Sequence, residues 1–149
     1  MAETTRVDGT LGKRLPLRIL LAEDESVNLR VTLRLLDRMG YHADSVVNGL
    51  EALEAVRARG YDLVLMDLQM PEMDGRTATR RIRELPAAGR ARPRVVALTA
   101  DDTAESRAEC AACGMDDFLV KPVAPAELKA VIVRASGGAR PSRRTSSSS

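Results

Sequence analysis

The sequence predicts an α/β fold in which helices cover both faces of a five-stranded parallel sheet. Three observations lead there. Five short apolar runs recur along the chain, helical patterns separate them, and Gly, Pro or Asn stands at most of the junctions. A run that is apolar at every position suits a strand buried on both faces, as parallel sheets require. In such sheets ligands gather outside the carboxyl ends of the strands.

Taken in order, residues 1–16 carry Gly9, Gly12 and Pro16 with no sustained period, and read as a flexible leader. Arg18 to Ala22 is the first strand, ending on Glu23-Asp24-Glu25. Ser26 or Asn28 is the expected cap of the first helix, since both side chains accept from free backbone N–H groups. Val27, Val31, Leu35 and Leu36 give that helix its apolar face, and Gly40 stops it. Tyr41 to Val47 is the second strand, and Asn48-Gly49 turns the chain. Leu50, Leu53, Ala55 and Val56 then recur at helical spacing up to Gly60.

The third strand, Asp62 to Asp67, is the most informative segment. Its apolar run ends on the carboxylate of Asp67, and a turn carrying Pro71, Asp74 and Gly75 follows. A helix over Thr77 to Leu85 comes next, then a loop over Ala87 to Pro93. Val95 to Leu98 is the fourth strand, ending on Thr99-Ala100. Asp101-Asp102-Thr103 starts the fourth helix, which reaches about Cys113 and closes at Gly114. Phe118 to Val120 is the fifth strand, ending on Lys121-Pro122. Pro125 suits the first turn of the last helix, which Leu128, Val131 and Ile132 anchor. Residues 136–149, rich in Gly, Arg and Ser, read as a disordered basic tail. One domain over 17–135 results. The common solution at this size is the flavodoxin-like (βα)5 arrangement with strand order 2-1-3-4-5.

Composition narrows the function classes. The 149 residues are 44% hydrophobic and 30% charged, with one Phe, two Tyr and no Trp, so aliphatic side chains must build the core. Seven of the 23 basic residues but only two of the 21 acidic ones lie outside 18–133. The body is therefore net −3 and the ends +5. A mildly acidic body gives no support for a nucleic-acid face. Nothing approaches the roughly 20 apolar residues of a membrane span, and no signal peptide opens the chain, so a cytoplasmic protein is expected. Cys110 and Cys113 lack the further ligands of a structural zinc site and fall late in a helix, which suits two reduced, packed thiols.

The strand ends bring chemistry together. The first contributes Glu23 and Asp24, the third Asp67, the fourth Thr99 and the fifth Lys121. Crowded carboxylates raise one another's pKa unless a cation joins them, and hard oxygen donors with room for water suit Mg²⁺. Thr99 and Lys121 supply a hydroxyl and a positive charge for phosphoryl oxygens. A carboxylate can then act as nucleophile and form an acyl phosphate. Asp67 is the natural choice because its strand is central.

Over about residues 17–135 these motifs resemble the receiver domains of two-component response regulators. The resemblance makes Asp67 the phosphoacceptor and Glu23 and Asp24 the acidic pair beside the metal, with Asp24 a direct Mg²⁺ ligand. Gln69 becomes the residue whose backbone carbonyl completes the metal shell. Thr99 is then the switch hydroxyl, Lys121 the phosphoryl salt bridge, Phe118 the switch aromatic, and Lys121-Pro122 a cis peptide. Ala22 to Asn28, Met66 to Pro71 and Gly114 to Phe118 look most like receivers of hybrid sensor histidine kinases, here as a stand-alone chain. Implied partners are a sensor histidine kinase or histidine phosphotransfer protein and an unknown downstream protein, with no direct DNA or membrane binding. The implied output is a change in the face formed by the fourth helix, fifth strand and last helix.

Asp101-Asp102 departs from the family's more usual small or amide pair. A phosphoacceptor that assists its own loading and unloading, not an enzyme with a separate substrate, is the expectation. The alternative is a pseudo-receiver, an interaction module that works without phosphorylation. A hydrolase with an aspartyl-phosphate intermediate would carry an acid two residues after the nucleophile, where this chain has Gln69.

Overall fold

A computed structural model describes residues 9–86 and 92–137. Five strands form one parallel sheet in the order β2-β1-β3-β4-β5. They are β1 (Ile19–Ala22), β2 (Asp44–Val46), β3 (Leu63–Asp67), β4 (Arg94–Thr99) and β5 (Asp117–Val120). The helices are α1 (Leu11–Arg14), α2 (Ser26–Arg38), α3 (Gly49–Arg59), α4 (Gly75–Glu84), α5 (Ala104–Ala112) and α6 (Pro125–Ala135). The first predicted helix is thus α2, and the predicted fourth helix is α5.

The fully apolar strands split their side chains between two cores, as the two-residue period of a strand dictates. Leu20, Val64, Met66, Val95 and Ala97 pack with side chains of α3, α4 and α5. Ile19, Leu21, Leu63, Leu65, Val96 and Leu98 face the other way, toward α2 and α6. β3 is buried along its whole length, with β1 and β4 on either side. Among the described residues no helix is long and apolar enough to cross a membrane.

Several local expectations need correction. The leader does not extend through residues 9–16, because Leu11–Arg14 forms a helical turn with Leu11 only 1% exposed. Gly12 lets this turn lie against the backbone of Gly40, where a Cβ would collide with the Gly40 carbonyl. The Tyr41 hydroxyl donates to the Leu15 carbonyl at 2.5 Å. These contacts are tertiary, which is why no local period announced them. Neither Ser26 nor Asn28 caps α2. Glu25 does, its carboxylate accepting from the Asn28 N–H at 2.9 Å, while Ser26 is already helical.

Asn48 caps α3 by accepting from Glu51, and the Glu51 carboxylate accepts from the Val47 N–H in return, a reciprocal capping arrangement. β2 is shorter than expected because it is an edge strand with Asp44 and Ser45 exposed. α4 begins two residues early, since Asp74 caps it through the Thr77 N–H. α5 starts after its cap, Thr103. Residues 1–8 of the leader, 87–91 of the fourth loop and 138–149 of the tail lie outside the described residues.

Candidate functional site

The carboxyl ends of β1, β3, β4 and β5 open into one cleft of about 740 Å³, lined by Glu23, Asp24, Asp67, Gln69, Thr99 and Lys121 among others. Sheet topology accounts for this convergence. β3 sits between β1 and β4, so Asp67 emerges beside Glu23 on one side and Thr99 on the other. The loop after Asp67 is then tied down. Gly75 N–H donates to the Leu68 carbonyl at 3.0 Å, and Gly49 N–H to the Met73 carbonyl at 2.9 Å. Gly75 is required there, since a Cβ would strike the Asp67 carbonyl oxygen.

The charges are tightly interlocked. Lys121 Nζ lies 3.1 Å from Asp67 Oδ1 and 3.2 Å from Glu23 Oε1. Carboxylate oxygens of Glu23, Asp24 and Asp67 lie within 4.8 Å of one another. Glu23 and Asp67 are 2% and 5% exposed, whereas Asp24 is open to solvent. Burial, then the contact with the Asp67 carboxyl, pushes Glu23 up to about 7, and the Glu25 N–H and Lys121 only partly offset this. Burial would lower Lys121, but hydrogen bonds and charge from Asp67 and Glu23 outweigh it and hold the ammonium above its ordinary value. Lys121 therefore pairs with two of the three clustered acids. Such an oxygen set fits a hard divalent cation, which would relieve the repulsion.

The remaining members fall at measured places. Gln69 N–H approaches Asp67 Oδ1 at 3.3 Å. Thr99 Oγ1 accepts from the Asp101 N–H at 2.9 Å, which leaves its own proton for an incoming oxygen. Lys121–Pro122 is a cis peptide. Phe118 stands apart from the cleft: it is half-buried on β5 and packs against the α3–α5 side of the core.

A family model described as the response regulator receiver domain matches residues 19–133. The chain belongs to the response regulator receiver family. This receiver is 40% identical over 132 residues to histidine protein kinase 1 of Candida albicans, covering 83% of the chain and 5% of that protein. It is also 40% identical over 129 residues to sensor histidine kinase GacS of Pseudomonas protegens, covering 86% of the chain and 14% of that protein. The chain thus spans only a small part of the curated relatives it matches.

Among solved structures it is similar to the receiver domain of sensor histidine kinase PA1611 from Pseudomonas aeruginosa. That structure has a magnesium ion coordinated in its active-site cleft (TM-score 0.71, 35% identity, 81% of this chain and 98% of that one). It is likewise similar to the co-crystal structure of the Saccharomyces cerevisiae histidine phosphotransfer protein Ypd1 and the receiver domain of Ssk1 (TM-score 0.76, 26% identity, 81% and 89%). The receiver fold with strand order 2-1-3-4-5 is therefore established for this chain, and it is a signalling domain of two-component systems.

Sequence reasoning missed several residues. Glu25 steadies the acid pair through its N–H to Glu23 Oε2 at 3.1 Å. Arg76 and Ser106 line the cleft from α4 and α5. The only signal for Arg76 was its place just after the Asp74-Gly75 turn. The Arg107 guanidinium covers the Phe118 ring at 4.4 Å, a contact that no spacing in the sequence announces.

Proposed function

We propose that this receiver takes a phosphoryl group from a phosphohistidine donor onto Asp67, with Mg²⁺ as cofactor. The observation that carries the reading is the shared placement of Lys121 Nζ on both Asp67 and Glu23, in a cleft where three acids and the Thr99 hydroxyl converge. Glu23, Asp24, Asp67 and the Gln69 backbone carbonyl are the groups that would hold the ion. When bound, it supplies positive charge to the acids and to the phosphoryl oxygens. Asp67 attacks phosphorus through a carboxylate oxygen, the P–N bond to the donor imidazole breaks, and the imidazole keeps the bonding pair. Lys121 turns from the carboxylates to one phosphoryl oxygen, and Thr99 donates to another.

Loading then biases the domain between two packings. Thr99 moves inward, Phe118 follows, and the α5–β5–α6 face changes its preference for a downstream protein. The donor is a sensor histidine kinase or a histidine phosphotransfer protein in the cytoplasm. Support for docking comes from Val27 and Val31 on α2, which stay 59% and 50% exposed one turn apart. Such an apolar stripe close to the cleft suits the surface of a helical bundle. The receiver turns over no separate substrate in this reading.

Intact mass after incubation with a small acyl phosphate tests it. A gain of one phosphoryl group that requires both Mg²⁺ and Asp67, and disappears in Asp67→Asn, is the expected result. No gain from the acyl phosphate or from a purified phosphohistidine protein would overturn it in favour of the pseudo-receiver.

A further inference from the structure

The geometry points to Arg107 as a positioning residue that holds Phe118 in its resting place and is itself oriented by Asp102, so that the contact between guanidinium and ring sets how readily the domain switches. The inference rests on the receiver reading above and deepens it. Arg107 lies in the first turns of α5, and its guanidinium carbon sits 4.4 Å from the centroid of the Phe118 ring. That is within the range where a cation is attracted to an aromatic face. Both Nε and Nη2 of Arg107 donate to Asp102 Oδ1, at 2.8 and 2.5 Å. Two bonds to one oxygen restrict the guanidinium plane that a solvated arginine would leave free. Phe118 also packs against the core. A pocket of about 230 Å³, lined by Arg107, Cys110, Met115 and Phe118 among others, gives the ring room beside it.

A continuous set of bonds connects this clamp to the cleft. Thr99 Oγ1 accepts from the Asp101 N–H, and Asp101 Oδ1 accepts from the Thr103 N–H at 3.1 Å. Thr103 then caps α5 through the Ser106 N–H. Asp102 lies between Asp101 and Thr103. Movement of Thr99 toward a phosphoryl group gives up the Asp101 bond and shifts the segment that carries Asp102. Arg107 loses its anchor, and the ring is released. Reciprocity requires the converse as well: loosening Arg107 favours the phosphorylated packing. Both members of the ion pair are 53% exposed, so the pair by itself is weak and the aromatic contact carries most of the effect.

The chain contains a single phenylalanine. Fluorophenylalanine incorporation therefore gives one fluorine resonance, belonging to Phe118, without further mutation. In Arg107→Ala, that resonance is expected to move, before any phosphorylation, toward the position it takes in the Asp67-phosphorylated wild type. Loading by a small acyl phosphate with Mg²⁺ should become about two- to five-fold faster. Arg107→Lys, which keeps the charge but not the planar fork, should fall between. In a Phe118→Leu background, Arg107→Ala should change the loading rate little. The sign discriminates, because losing a cation near the cleft would by itself slow an anionic donor. Slower loading in Arg107→Ala, or acceleration undiminished without the ring, would overturn the proposal. A wild type that takes no phosphoryl group defeats the receiver reading itself. A wild type that loads normally while its fluorine resonance ignores both phosphorylation and Arg107→Ala defeats only the clamp.

Discussion

Replacing Lys121 with Met should destabilise the protein in a way that depends on pH and is reversed by Mg²⁺. The substitution keeps most of the apolar stem and removes the ammonium that lies 3.1 and 3.2 Å from Asp67 and Glu23. Removing one partner of a buried ion pair costs about 3–5 kcal/mol. Two features moderate that here: the Lys121 side chain keeps 20% exposure, and Glu23 can take up a proton instead. About 2–3 kcal/mol at pH 8 is the expected loss, or roughly 10 °C in Tm for a body of this size.

The sign with pH follows from Glu23. A carboxyl held above its unfolded value loses folding free energy as pH rises past that value. In the wild type this loss runs from about 4.5 and levels off beyond about 7. Without Lys121 the carboxyl is pushed higher still, so the loss continues above 7. Thermal denaturation followed by circular dichroism should show a small gap between variant and wild type at pH 5 and a wide one at pH 8. Millimolar Mg²⁺ should narrow the gap at pH 8, because a bound cation stabilises only the folded cluster. A gap that is equal at both pH values and indifferent to Mg²⁺ would reduce Lys121 to a packing residue.

Two further substitutions test how the site and the body are held. Gly75→Ala should slow acyl-phosphate loading and cost about 1–3 kcal/mol, since the added Cβ collides with the Asp67 carbonyl. Intact-mass time courses beside urea denaturation would read both effects. Leu11→Ala should cost about 2–4 kcal/mol while leaving the loading rate unchanged, because Leu11 is buried in the α2–α6 core. A denaturation midpoint equal to that of the wild type would show that the α1 turn adds nothing to the fold.

The interior strands were legible because each holds a continuous apolar run that stops at an acid or a hydroxyl residue. A continuous run hides which residue faces which core, and only the parallel register resolves Leu20 from Leu21. Edge strand β2 was overestimated: Tyr41 and Val47 have strand-forming side chains, yet pairing with β1 covers only Asp44 to Val46. Tyr41 instead spends its hydroxyl on the carbonyl of Leu15. The α1 turn was illegible for the same reason, being held by Gly40 and Tyr41 from outside its own segment. Site residues fared better. Glu23 and Lys121 meet across 98 positions of sequence, and once a parallel sheet is assumed the strand ends must lie along one edge. What patterning could not supply was the side-chain partnership of Arg107, a charge on a helix whose spacing marks only its buried face.

The division of Lys121 between two carboxylates also bears on the order of events. The lysine is shared between Asp67 and Glu23, and even so Glu23 is pushed up to about 7. A phosphoryl group on Asp67 adds further negative charge. If Lys121 turned to meet it with no cation present, Glu23 would be left buried without a positive partner and would have to take up a proton. The ammonium becomes free for the phosphoryl oxygens once a proton on Glu23 or a cation on the acids has replaced its charge. In the proposed reaction, Mg²⁺ held by the acid cluster would take over Glu23 and Asp67 and leave Lys121 to the phosphoryl oxygens, so loading should be faster when the ion is supplied before the donor.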